Sequence, residues 1–213
     1  MPRITPCGDT ALLVSFDGAP DAAMTSRLAG MVDTLRGISQ SGITDIVPAF
    51  TTLTVFFDPA ATDRKTLVAL IGDAASTSAH ASFTPSLHDI PVRYGGEAGP
   101  DLTWASASLG LSIDEIIEMH TSRDYIVYLL GFSPGFAYLG DLPPALALPR
   151  REVPRPAVPP GSVAIATGYT AVYPQATAGG WHLIGRTDVA FFDVNADSPA
   201  LLRTGDRVRF VAM

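Results

Sequence analysis

Apolar positions change period repeatedly along the first eighty residues. In "TALLVSF" (10–16) they run almost unbroken after the turn signal Gly8-Asp9, which predicts a strand. Met24, Leu28, Met31 and Leu35 then recur at i, i+4, i+7 and i+11, one stripe of an amphipathic helix. "GITDIVPAF" (42–50) and "TTLTVFFDP" (51–59) predict two strands, the second rich in β-branched and aromatic residues and stopped at Asp58-Pro59. With Thr62 as N-cap, Leu67, Leu70, Ile71 and Ala74 mark a second helix. This order predicts a small α/β layer with helices on one face of an antiparallel sheet.

The small, polar stretch "STSAHASFTPS" (76–86) predicts a linker, so the expected domains are 1–80 and 81–213. "IPVRYGGEAGPDL" (90–102) follows as a strand and a Gly/Pro turn, ahead of two short helices. The second helix is marked by Ser112 and Glu115, an S-x-x-E capping box before Ile116 and Ile117. From Tyr125 onward the pattern is short β-rich runs punctuated by Gly or Pro: "YIVYLLG", "GSVAIA", "YTAVYP", "WHLIGRT", "VAFFDV" and "DRVRFVA". Strands at this density predict a barrel or sandwich. The fold class expected is α+β.

Composition narrows the class. Hydrophobic residues make up 47% of the 213, which argues against disorder. A net charge of −7 argues against a duplex nucleic-acid partner. The single cysteine, Cys7, can form no internal disulfide and fits a reducing compartment. "MPRITPCGDT" lacks the apolar core of a secretion signal, and no apolar run approaches the roughly 20 residues of a membrane span. A soluble cytoplasmic protein is expected.

The string Gly131-Phe132-Ser133-Pro134-Gly135 matches G-x-S-x-G, the elbow of a serine hydrolase. Its chemistry fails. The oxyanion hole takes the backbone N–H of the residue after the nucleophile, and Pro134 has none. Nor can "PGFAYLGDLPP" form the helix that follows such an elbow. The remaining readings are a turn with Phe132, Phe136 and Tyr138 in the core, or a ligand-facing loop with aromatic walls.

The strongest anion candidate is "PRREVPRPAVPPGS" (149–162), where prolines limit the ordering cost of presenting Arg150, Arg151 and Arg155. The alternative is a solvated loop whose arginines pair with local acids such as Glu152. In "GGWHLIGRT", Trp181 reads as core or pocket wall and Arg186 as a second cation. His182 is either an outward strand residue or a general acid/base. His120 ends a helix, where a histidine complements the dipole. The one lysine, Lys65, precedes Thr66 but lacks the glycines of a phosphate loop. The four histidines and Cys7 show no metal-ligand spacing, so no metal is expected.

Several long motifs occur in one order: "LGFSPGFAYLGDLP" (130–143), "PRREVPRPAVPPGSVAIA" (149–166), "YPQATAGGWHLIGRT" (173–187) and "GDRVRF" (205–210). With "GDTALLVSF" (8–16) and "VPAFTTLTVFFDP" (47–59), they resemble the KipI family, also known as allophanate hydrolase subunit 1 or the B subunit of 5-oxoprolinase. The resemblance implies a small N-terminal α/β domain followed by a cyclophilin-like β-barrel. It implies a non-autonomous protein working with two sister subunits, one carboxyltransferase-like (C) and one further (A). Their joint reaction is the ATP-dependent opening of 5-oxoproline to glutamate, with ATP bound somewhere in the complex. Another branch of the family implies inhibition of a sensor histidine kinase instead.

The candidate catalytic residues are His182 and Arg155, the resemblance favouring Arg155 as an anion site. Arg150, Arg151, Arg155 and Arg186 are the candidates for holding a small anionic substrate. Tyr169, Phe136, Tyr138 and Trp181 are the candidate pocket walls. The sequence departs from the family pattern at Ala164 and Ala171, where glycine is usual, at Ala178, where proline is usual, and at Tyr169, where glutamine is expected.

Overall fold

The structure is a computed structural model and describes residues 2–38, 42–77 and 84–213. The chain divides into two compact units, Met1–Thr84 and Pro85–Met213. The expected boundary at 80/81 lies outside the described residues.

In the first unit, β1 (Arg3–Pro6), β2 (Ala11–Ser15), β3 (Ile43–Ala49) and β4 (Thr52–Phe57) form an antiparallel layer in the order β1-β2-β4-β3. Helices α1 (Ala22–Arg36) and α2 (Arg64–Thr77) cover one face. Alternation along the strands sends Leu12, Val14, Ile46, Leu53, Val55 and Phe57 to that face, where the α1 stripe and Leu67, Ile71 and Ala74 of α2 meet them. Two details differ from expectation. β1 is an added strand, paired to β2 across the Gly8-Asp9 turn. The cap of α2 is Asp63 rather than Thr62: its Oδ1 accepts from Thr66 N at 2.8 Å, and a carboxylate satisfies an orphan N–H well.

The second unit begins with β5 (Leu87–Tyr94), α3 (Leu102–Leu109) and α4 (Ile113–Thr121). The remaining strands are β6 (Asp124–Leu130), β7 (Ala137–Gly140), β8 (Arg155–Val158), β9 (Ser162–Ala166), β10 (Tyr169–Val172), β11 (Thr177–Gly179), β12 (His182–Arg186) and β13 (Arg207–Ala212). Six of these and β5 close a seven-stranded barrel in the order β6-β13-β5-β12-β9-β10-β7, with β7 returning to β6. The expected α+β class, with a β-barrel, is what forms. Each barrel strand sends one set of side chains inward, among them Val92, Val127, Leu139, Ile165, Val172, Ile184 and Phe210. β8 and β11 stand apart as a two-stranded ribbon.

The helices cover the barrel through Leu102, Ala105 and Ile116. The α4 capping box is complete, with Glu115 N donating to Ser112 Oγ at 3.2 Å and Ser112 N donating to Glu115 Oε2 at 2.7 Å. No helix among the described residues is long and apolar enough to cross a membrane.

Three expectations are corrected. "VAFFDV" is not a strand: Phe191 is buried in the barrel core, while Phe192 makes only an isolated bridge to Ala200 and Asp193 begins a turn. The Pro-rich segment is not all loop, because Arg155–Val158 pairs with β11; a ribbon strand has a free edge where proline is tolerated. His120 is no charged dipole partner, although it does lie in the last turn of α4. It shares the inward face of α4 with Ile116, four residues earlier, and is fully buried. Thr170 donates to Ala164 O at 3.1 Å, so its lone pair accepts from His120 Nε2–H at 2.9 Å. That leaves Nδ1 to accept from Tyr94 OH at 2.7 Å. Burial depresses the imidazole from 6.5 to about 3, so it is a neutral core residue.

Candidate functional site

Outside the barrel, on the wall formed by β9, β10 and β12, lies a second buried cluster. Ala164, Ala166 and Ala171 are small residues on this outer face, and they leave room for Phe136, Tyr173, Trp181 and Leu183 to lie over them. The rings meet edge to face: Phe136–Tyr173 at 5.2 Å and 76°, Phe136–Trp181 at 5.9 Å and 83°, Tyr138–Trp181 at 5.6 Å and 72°. Such pairs add roughly 0.5–1.5 kcal/mol each beyond burial, so the wall is rigid.

Between this wall and the ribbon is a pocket of about 90 Å³. Phe132, Phe136, Tyr138, Tyr173 and Trp181 form its sides, and Ala178, Gly179, Gly180 and Arg150 complete it. Drug-sized sites run from about 300 Å³ upward, so this pocket is a small one. Gly179 is required by space: a Cβ there would collide with the Tyr173 hydroxyl. Burial pushes the Tyr173 phenol up from its ordinary value, against a hydrogen bond from the Trp181 backbone N–H. The phenol therefore keeps its proton and can donate.

The structure separates the expected cations. Arg150 lines the pocket and enters no ion pair among the described residues. Arg151 and Arg155 share a carboxylate, but it belongs to Asp101 and not to the neighbouring Glu152. Arg155 Nη2 donates to Asp101 Oδ1 at 2.7 Å and Arg151 Nη1 at 3.2 Å. Asp101 Oδ2 accepts from Leu183 N at 2.7 Å. Burial opposes ionisation of Asp101 most strongly, yet the bonds from Arg155 and Leu183 and the two guanidinium charges outweigh it and hold the carboxyl below its usual range. Arg155 does not line the pocket; its backbone pairs opposite Gly179 in the ribbon, and its Nη1 is buried without a partner among the described residues. Arg186 is exposed at the far end of β12, in register with Arg93, and is not part of the pocket.

Phe136, Tyr138 and Trp181, expected as pocket walls, line this pocket. Tyr169, expected as a pocket wall, is not among the lining residues; it packs against the cluster with its ring 6.3 Å from Tyr138 at 86°. Phe132 is not core: it is 62% exposed on a left-handed backbone, φ +82°, and leans edge-on against Phe136. A bulky residue in that region is strained. Ser133 lies in the same turn, its Oγ buried with no partner among the described residues, and strand β7 follows it where an elbow needs a helix.

His182 is not outward-facing. β12 alternation sends Trp181 and Leu183 to the pocket wall, while His182 shares the opposite face with Ile184 and Ile165. It is buried, its Nε2–H donates to Pro149 O at 2.9 Å, and Trp104 stacks on it at 4.5 Å and 13°. Asp101 and Trp104, neither singled out in the sequence, thus belong to the site's support. The Asp101 link to Arg151 and Arg155 spans 50 and 54 positions, and no local pattern announces it.

Known proteins share both the fold and the sequence. The family model for the carboxyltransferase domain, subdomain C and D, matches residues 2–202. The chain is 36% identical to the 5-oxoprolinase B subunit of Bacillus subtilis, over 98% of this chain and 92% of that protein. It is 55% identical to the 5-oxoprolinase B subunit of Escherichia coli O157:H7, over 58% of this chain and 56% of the relative. Among solved structures, TTHA0988 superposes with a TM-score of 0.85 at 35% identity, over all of this chain and 40% of that one. The matched portion therefore occurs there within a longer polypeptide. This chain belongs to the carboxyltransferase subdomain C and D family, among relatives named as the B subunit of 5-oxoprolinase.

Proposed function

We propose that this chain is the B subunit of a cytoplasmic ATP-dependent 5-oxoprolinase, active only with its A and carboxyltransferase-like C partners. The reaction is 5-oxo-L-proline, ATP and water to L-glutamate, ADP and phosphate. The observation that carries this reading is Arg150, a guanidinium without an ion pair among the described residues, at the rim of a small aromatic pocket in a chain whose relatives are named for that activity. The substrate is a five-membered lactam bearing one carboxylate. Its ring suits the faces and edges of Phe136, Tyr138 and Trp181, and its carboxylate suits the planar fork of Arg150. The Tyr173 hydroxyl supplies a further donor.

The reading also accounts for a non-autonomous role. Among the described residues, no activated nucleophile borders the pocket: Ser133 lacks the following N–H, and His182 sits behind the wall. Lys65 lies on a helix without a glycine-rich loop before it, so any ATP site is built on this chain without a Walker loop or lies on a partner.

The test is Arg150→Met in the complete three-subunit mixture. A charge-assisted hydrogen bond is worth about 1.5–3 kcal/mol, so KM for 5-oxo-L-proline rises roughly 10- to 100-fold. An unchanged KM in a folded variant contradicts the reading.

A further inference from the structure

We infer that His182 is a positioning residue, which fixes Arg150 at the pocket through the carbonyl of Pro149 and does not itself touch substrate. This rests on the reading of the pocket given above. A residue's backbone has two soft dihedrals, one on each side of its Cα, and each is fixed once the adjoining peptide plane is held. The plane before Arg150 carries the Pro149 carbonyl, which accepts from His182 Nε2–H at 2.9 Å. The plane after it carries Arg151 N, which donates to Gly180 O at 2.8 Å. Both dihedrals of Arg150 are therefore held, although Arg150 itself is exposed.

The holding groups are themselves fixed. Gly180 precedes Trp181, whose ring is in the wall, and His182 follows it. The His182 ring is covered by Trp104 of α3, in a parallel stack at 4.5 Å. One turn earlier in the chain, Asp101 ties the Arg151 side chain and the β12 backbone to the start of the same helix. Because a carbonyl only accepts, His182 must present a proton at Nε2, and that nitrogen is committed to Pro149. Its Nδ1 is buried without a partner among the described residues, on the side of the strand away from Trp181. The consequence is preorganisation: Arg150 meets the carboxylate without first ordering its backbone.

The test compares His182→Phe, which keeps a ring under Trp104 but loses the donor, with His182→Gln, whose amide nitrogen can reach the position of Nε2. Both are assayed in the complete mixture beside Arg150→Met, with folding checked by thermal unfolding. His182→Phe is expected to raise KM for 5-oxo-L-proline about tenfold with kcat nearly unchanged, and His182→Gln to recover most of the loss. A fall in kcat that Gln does not restore assigns His182 to proton transfer and overturns the positioning role. An unchanged KM in His182→Phe, while Arg150→Met raises KM, also overturns it and leaves the pocket reading intact. If Arg150→Met has no effect, the pocket reading fails first. Should His182→Phe not fold, Trp104→Ala at the half-exposed stacking partner carries the same test: a raised KM supports positioning, and an unchanged one contradicts it.

Discussion

At the scale of single residues, most of the site depends on what a side chain is denied. Pro134 denies Ser133 its oxyanion amide, and the Ser133 hydroxyl is buried with no partner among the described residues. Ser133→Ala should therefore change turnover of the complete mixture by less than about twofold, where loss of a true serine nucleophile costs on the order of 10⁶. Gly179 is denied a Cβ by the Tyr173 hydroxyl. Gly179→Ala should force the phenol from its place, lower stability by about 1–3 kcal/mol and raise KM, as thermal unfolding and steady-state kinetics will report. The aromatic side chains and the arginine triplet were legible in the sequence, because residue type and proline spacing already limit what they can do. The division of labour among the arginines was not. Asp101 decides it, from a turn before α3 whose sequence signals only a helix start. Its side chain makes no cap bond, and its carboxylate goes to Arg151, Arg155 and Leu183.

Elements were legible where one period dominates. The α1 stripe, the hairpin strands β3 and β4 and the S-x-x-E box of α4 all carry local signals strong enough to survive packing. Ser112→Ala removes an N-cap whose reciprocal bonds are both made, and should cost about 1 kcal/mol in urea unfolding; no loss would show that packing of Ile116 alone sets the helix. Elements misread from sequence share a different property: tertiary partners decide them. "VAFFDV" has strand composition, but Phe191 finds the barrel core singly and no neighbouring strand among the described residues pairs with the rest. β8 has proline at a position that disfavours strands, yet it needs only one neighbour, β11. The face of β12 on which His182 falls was ambiguous for the same reason. Period two places it opposite Trp181, but only the position of α3 shows that its face is also covered.

For the whole molecule, the barrel is filled and the fully buried imidazole of His120 is a stability switch. The unfolded chain takes up a proton on His120 near its ordinary value of 6.5, whereas the folded barrel refuses it until about 3. Between those values the unfolded state holds the extra proton, so stability falls as pH falls, by up to about 1.4 kcal/mol per pH unit. His120→Asn should lose roughly 2–4 kcal/mol at neutral pH and show a shallower decline in chemical unfolding between pH 6.5 and 4; an equally steep decline would assign the acid sensitivity to other groups. On the proposed reading, recognition falls to the outer wall of the barrel, whose pocket is lined by Arg150 and aromatic side chains. The most direct measurement is glutamate release from 5-oxo-L-proline and ATP, with the three purified subunits mixed and each omitted in turn. Turnover only in the full mixture is the predicted result. Turnover by this chain alone, or undiminished turnover without it, would contradict its role as a binding subunit that works through partners.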